Sequence, residues 1–264
     1  VRIVVLVKPV PDPETRGEQL RSDGWLDRSV TSVMNGNDEY VLEAALKIAD
    51  AAPGSTEITV LAMAPANCVE SLRKALAMGP QRAVMVTDPA LLGSDTLATA
   101  RVLAAALRGL EYDLVLAGID TSDGGGGVVP AGIAAILDLP YLSYAAQIEP
   151  NELNGTVRVR RLSPAGYDLL EAPMPALVSG TQLLGSPRYP SLRGIMAARS
   201  KPLAVRSLSD IGIDPATVGA RARTTDLLAF RPPAPRPPTQ MVRGSANDSA
   251  QAIVDFLVER RLIR

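Results

Sequence analysis

Blocks of continuous apolar residues alternate with segments of helical period along the first half of the chain. Ile3 to Val7, Ile58 to Ala62, Ala83 to Val86 and Leu114 to Ala117 are short, uninterrupted apolar runs, which predicts strands buried on both faces. Between them, the spacing of Val41, Leu42, Ala45, Leu46 and Ala49 predicts a helix over about 38–49, opened by the polar residues Asn37, Asp38 and Glu39. A second helix is predicted over 67–78, stopped by Gly79-Pro80, and a third follows the cap Gly93-Ser94-Asp95-Thr96 as far as Leu107. The repeated strand–helix unit predicts an α/β fold: a mostly parallel, Rossmann-like sheet with helices on both faces. Ligands on such sheets collect beyond the carboxyl ends of the strands, here the loops after Val7, Ala62 and Ala117.

The second half changes pattern. Thr156 to Arg161 and Tyr167 to Glu171, joined through Pro164-Ala165-Gly166, read as an antiparallel hairpin (about 155–172), and Ala176 to Ser179 as a returning strand. Residues 187–202 are bounded by proline and glycine and read as at best a short helix. They carry Tyr189, Leu192, Ile195 and Met196 among the basic residues Arg199 and Lys201. Such a segment either covers the sheet edge or protrudes as a partner-docking anchor, apolar at its centre with a charged rim. From about Leu203 the periodicity weakens; Arg231 to Pro238 reads as a stiff proline linker, and 245–260 as a short amphipathic helix with Ile253, Phe256 and Leu257 on one face. The division expected is 1–203 for the α/β domain and 204–264 for a C-terminal arm, whose helix either packs on another chain or returns onto this domain.

Candidate chemistry concentrates in Gly118-Ile119-Asp120-Thr121-Ser122-Asp123-Gly124-Gly125-Gly126-Gly127, between a predicted strand and the apolar helix that opens at Val128-Val129. Glycines let the backbone approach a ligand, and the first helical turn offers unpartnered N–H groups, a combination that holds phosphate. No Gly-Lys-Ser/Thr ends the loop and no GxGxxG is present, so neither a P-loop nor a dinucleotide fingerprint applies. With no lysine or histidine nearby in sequence, holding a nucleotide is favoured over cleaving one. Asn35-Gly36-Asn37-Asp38 either caps a helix or also faces the ligand edge.

Histidine is absent and cysteine occurs once, as Cys68, which removes His-based catalysis, the His metal sites and any internal disulfide. A net charge of −1 gives no basic surplus for nucleic acid. No apolar run reaches the roughly 18 residues of a membrane helix, and the opening Val1 to Lys8 reads as a strand and not a signal, so a cytoplasmic location is expected.

Taken together, several motifs resemble the electron transfer flavoprotein β subunits. They are Val7-Lys8-Pro9-Val10-Pro11-Asp12; Asn35-Gly36-Asn37-Asp38-Glu39-Tyr40 with Leu42-Glu43-Ala44-Ala45-Leu46; Ala75-Leu76-Ala77-Met78-Gly79 with Arg82-Ala83; Gly93-Ser94-Asp95-Thr96-Leu97-Ala98-Thr99-Ala100; and the stretch from Pro187-Arg188-Tyr189 to Lys201. The resemblance covers essentially the whole chain. It implies an electron carrier without bond-making residues of its own, paired with an α subunit that holds most of a redox-active FAD. It further implies a structural AMP, or in electron-bifurcating relatives a second FAD, contacted by Leu6, Asn35, Gly36, Asn37, Asp38, Met63 and the loop from Gly118 to Val129. Leu192 would then enter an apolar pocket on a partner dehydrogenase. Where many members carry a basic residue after the first glycine of the loop, this chain has Ile119, so phosphate is expected to rest on backbone amides alone. Pro13 replaces a tyrosine that some members place near the flavin. Two other readings share the sheet: a stand-alone nucleotide-dependent enzyme using Asp120 and Asp123 to hold Mg²⁺, and a nucleotide-sensing homodimer.

Overall fold

The structure is a computed structural model that describes residues 1–12, 14, 19–231, 234–236 and 238–263. Pro13 and three prolines of the expected linker, Pro232, Pro233 and Pro237, lie outside the described residues. Two compact units are present, Val1–Leu227 and Leu228–Arg264.

In chain order the first unit contains β1 (Arg2–Leu6), β2 (Pro9–Pro11), β3 (Ser32–Met34), α1 (Gly36–Ala51), β4 (Glu57–Met63), α2 (Val69–Met78), β5 (Arg82–Val86), α3 (Thr96–Arg108), β6 (Leu114–Gly118) and α4 (Val129–Leu137). It continues with β7 (Tyr141–Asn151), β8 (Thr156–Ser163), β9 (Gly166–Pro173), β10 (Ala176–Gly180), α5 (Leu192–Ala198) and β11 (Leu203–Arg206). Nine strands form one sheet in the order β11-β5-β4-β1-β6-β10-β7-β8-β9, while β2 and β3 pair as a separate antiparallel ribbon. The sheet is parallel from β11 through β7, and β8 and β9 extend it antiparallel.

Alternation along β1 explains why the strand reads as one apolar run. Ile3 and Val5 enter the core beneath α1 and α2, and Val4 and Leu6 enter the core beneath α3 and α4. The helix faces agree with their sequence spacing: Val41, Leu42, Ala45 and Leu46 of α1 are buried, as are Ala98, Val102 and Leu107 of α3. The Asp95 side chain accepts from the N–H of Ala98 at 2.9 Å, capping α3 as the Gly-Ser-Asp-Thr motif predicts.

Two strands of the main sheet escaped the sequence reading, as did the ribbon strands β2 and β3. β7 has only a half-buried alternation broken by Pro150, so its eleven residues carry no continuous apolar signal. The predicted hairpin is therefore the outer part of a three-stranded meander. β11, four residues at the sheet edge, has partly and fully exposed side chains, and only its pairing with β5 makes it a strand.

The second unit contains α6 (Ala246–Glu259), opened by a capping box in which the Ser245 hydroxyl accepts from the N–H of Asp248 at 3.2 Å and the Asp248 carboxylate accepts from the N–H of Ser245 at 3.2 Å. No residue of α6 is buried.

Candidate functional site

β1 lies between β4 and β6, and the chain runs outward from it in both directions, so the sheet order reverses at β1/β6. At such a switch point neighbouring strand-end loops diverge and leave a crevice. Leu6, Met63 and Gly118 end β1, β4 and β6 at this edge.

The polar residues that open α1 join the loops instead of capping the helix. Asn35 makes no side-chain cap. Its amide donates to the Asp120 carbonyl at 2.9 Å and its carbonyl accepts from the N–H of Ser122 at 3.1 Å. Asn37 donates to the Asp120 carboxylate. Asp38, buried, accepts from the backbone N–H of Lys8 at 2.7 Å. Burial pushes its carboxyl up to about 7, against the opposing pull of hydrogen bonds from Lys8, Asn35 and Gly118. Gly118 is required by this contact: a Cβ there would meet Asp38 Oδ1 at 2.5 Å and Asn37 Cβ at 2.9 Å. These bonds overturn the pure capping reading of Asn35 and Asn37.

Basic residues also reach the glycine loop, although none lies near it in sequence. Lys8 Nζ donates to Asp123 Oδ1 at 2.8 Å and to Thr121 Oγ1 at 3.3 Å. The Arg28 guanidinium donates to Asp123 Oδ2 at 2.7 Å. Asn67, beyond β4, donates to the Arg28 carbonyl at 3.3 Å, so all three strand-end loops are connected. Lys8 was invisible as a loop partner because 113 residues separate it from Thr121. Its position just past the end of β1 was the available signal, since that is the ligand edge of a parallel sheet. Arg28 carries no comparable signal in the sequence.

The side chain of Asp123 has no exposed surface, whereas those of Lys8 and Arg28 are about a third exposed, at 35% and 32%. Burial raises the Asp123 carboxyl, but Lys8 and Arg28 outweigh it and hold it below the usual carboxylate range. The Lys8 ammonium is lowered by burial, an effect Asp123 opposes. A carboxylate already bonded to two cations and another bonded to an amide are a poor donor set for Mg²⁺. Among the described residues no group of three or more acidic, His or Cys side chains is placed to hold a metal.

Past Asp123 the loop is exposed from Gly124 to Val128. Gly125 and Gly127 adopt φ values of +56° and +62°, which glycine enters without strain. The chain then enters α4, with Pro130 in its first turn where no N–H is needed. Exposed amides at a helix start, with one ammonium and one guanidinium beside them, have the donor chemistry to hold a phosphate ester. Leu6, buried, and Met63, half-buried, supply apolar surface at the same edge.

The docking candidates form a separate surface. On α5 and just before it, Tyr189 is 96% exposed and Leu192 75%, with Ile195 and Met196 also exposed, so these residues do not cover the sheet edge. α5 is held through its polar ends. Arg73 of α2 donates to the carbonyls of Ala198 and Lys201 at 2.8 and 2.7 Å. In return Lys201 Nζ donates to the carbonyls of Leu76 in α2 and of Gly79, which follows it, at 2.9 and 3.0 Å, a reciprocal satisfaction of helix C-termini. The ammonium of Lys201, expected in the docking rim, is thus engaged with α2, while Arg199 is exposed. Gly194 lies against the Ala77 carbonyl so closely that a Cβ would collide with it. Arg188 binds the buried Glu43 through Nε at 2.8 Å and through Nη2 at 3.0 Å, fixing the chain that leads into α5.

Residues 23–211 match the electron transfer flavoprotein domain. Over 268 residues, covering 99% of both chains, the sequence is 36% identical to the electron transfer flavoprotein subunit β of Mycobacterium tuberculosis. It is 35% identical, over the full length of both chains, to the caffeyl-CoA reductase-Etf complex subunit CarD of Acetobacterium woodii, and 31% identical over the full length of both to the subunit β of Thermoanaerobacterium thermosaccharolyticum. A domain match spanning most of the chain and full-length relatives of this similarity place it: the chain belongs to the electron transfer flavoprotein family, among its β subunits, and its function is electron transfer.

Proposed function

We propose that this chain pairs with an electron transfer flavoprotein α subunit, which holds most of a redox-active FAD, and that it binds one structural AMP itself. The joining of three strand-end loops around Lys8, Arg28 and the exposed glycine run carries this reading, because it combines cations, a helix start and adjacent apolar surface at one edge. Lys8 and Arg28, together with the amides of Gly124 and of Gly126 to Val129, would hold the phosphate, the Gly125 N–H being given to the Thr121 carbonyl at 2.8 Å. Leu6 and Met63 would face the adenosine, and Asn35, Gly36, Asn37, Asp38, Gly118, Asp120, Thr121, Ser122 and Asp123 would shape the loop. When bound, the flavin supplies the redox chemistry; this chain's residues bind, orient and dock.

α5 would present Leu192, Ile195 and Met196, with Tyr189 and Arg199, to a dehydrogenase partner in the cytoplasm. The segment with α6 would pack on the α subunit. No helix among the described residues is long and apolar enough to cross a membrane.

Co-expression with the α subunit, denaturation of the yellow complex and chromatography of the released nucleotides test the reading. One FAD and one AMP per heterodimer are expected. Two FAD would replace the AMP by a second flavin, and failure to bind any flavin-carrying chain would sink the proposal. Mg²⁺-dependent ATP turnover by the isolated chain would favour a nucleotide-dependent enzyme instead.

A further inference from the structure

We infer that Asp123 sets the number of phosphate groups the loop accepts, favouring a nucleoside monophosphate over a di- or triphosphate ester. The inference rests on the nucleotide reading proposed above and names what that site selects.

Two cations and two carboxylates meet at the joined loops. The cations bonded to the glycine loop are Lys8 and Arg28, and the acids bonded there are Asp120 and Asp123; Asp38, in the adjoining turn, is pushed toward its neutral form by burial and is not part of this balance. Asp123 engages both cations at once, Lys8 on Oδ1 and Arg28 on Oδ2, from a side chain with no exposed surface. It is therefore a fixed counter-charge and not a mobile surface acid. Each cation keeps about a third of its side chain exposed.

A single phosphate ester brings about −1.5 to −2 charges at neutral pH. The two cations, the loop amides other than that of Gly125 and the positive end of α4 can accommodate that charge. Each further phosphate adds negative charge with no further cation bonded to the loop, next to Asp120 and Asp123. The buried carboxylate thus permits one phosphate and opposes a chain of them, and discrimination arises from repulsion as much as from attraction. Replacing Asp123 by asparagine keeps the shape and one acceptor but returns two unneutralised cations to the site.

Titration of the α-subunit complex, freed of exchangeable nucleotide, with AMP, ADP and ATP in the absence of Mg²⁺ tests this. The natural complex is expected to bind AMP at least tenfold more tightly than ADP. In Asp123→Asn that ratio is expected to fall at least fivefold, through stronger ADP and ATP binding. A ratio near one in the natural complex, or an unchanged ratio in a folded Asp123→Asn complex, overturns the inference while leaving the nucleotide reading intact. Should the variant not fold, the natural complex alone decides. Because the selectivity is charge repulsion at a partly exposed site, the AMP/ADP ratio should shrink as salt rises from 0.05 to 0.5 M (on the order of one to two Debye-length halvings). A salt-independent ratio overturns it. Recovery of FAD, a diphosphate ester, from this loop also overturns it, whereas no affinity for any of the three probes removes the nucleotide reading itself.

Discussion

The crevice at the carboxyl edge of the sheet and the α5 surface are built in opposite ways. At the crevice, polar side chains bond to one another and to backbone across long stretches of sequence: Asn35 to residues 120 and 122, Lys8 and Arg28 to Asp123, Asp38 to Lys8. On α5 the polar groups that bond, Arg73, Lys201 and Arg188, serve only to fix the helix, and its apolar side chains face outward. A site for a small anion must be pre-shaped in its polar groups, since each unsatisfied one costs binding energy. A docking surface needs a rigid backbone with removable water on its apolar tips. Disturbing the crevice should therefore change stability, whereas disturbing α5 should change partner affinity.

The largest effect is expected from Gly118→Ala, whose methyl would press on Asp38 and Asn37. A loss of about 3 kcal/mol in urea unfolding of the complex is expected, on the scale of core overpacking. A loss below about 0.5 kcal/mol would show that the contact between β6 and α1 yields easily.

Next comes the pH dependence of Asp38. Its carboxyl is raised on folding to about 7, so the fold favours the neutral form. This contribution is fully present below the unfolded value near 4 and is lost as pH rises through about 7. Relative to Asp38→Asn, the natural protein should lose on the order of 2–3 kcal/mol between pH 4 and pH 8. Parallel stability curves for the two proteins would refute the burial account.

Asn35→Ala removes both side-chain bonds to the glycine loop. About 1–2 kcal/mol of stability and, on the proposed function, a several-fold loss in AMP affinity are expected together, because these bonds set the shape of the loop. On the other surface, Gly194→Ala should lift α5 from Ala77 at a cost of about 1 kcal/mol, raising the KM for the partner dehydrogenase while leaving nucleotide content unchanged. Leu192→Ala should change stability least, by under about 0.5 kcal/mol, since this side chain is 75% exposed. It should nonetheless lower the rate of flavin reduction by the partner at least tenfold. Equal stability losses for Asn35→Ala and Leu192→Ala would dissolve the contrast between the two regions.

How much of this could be read from the chain differs by element. β1, β4, β5 and β6 were legible because a parallel strand buried on both faces is a continuous apolar run. α3 was legible through the cap at Asp95, and α5 through the proline and glycine that bound it. β7 and β11 were not, because a half-buried strand and an edge strand owe their state to pairing partners. Of the crevice, the glycine loop and the Asn35-Gly36-Asn37-Asp38 turn were found from sequence; that Asn35 and Asn37 bond the loop, and that Lys8 and Arg28 join it, was not.

Local order along the chain, set by hydrophobic period, capping residues and glycine placement, determined the α/β class, the strand-end loops and the family resemblance. Only tertiary structure decided which charges meet. Lys8 and Asp123 are 115 residues apart in sequence, and their 2.8 Å contact follows from the neighbouring positions of β1 and β6 in the sheet. Periodicity reports the environment of a residue through its own neighbours in sequence. An ion pair depends on where two distant segments end, and that is fixed by strand order.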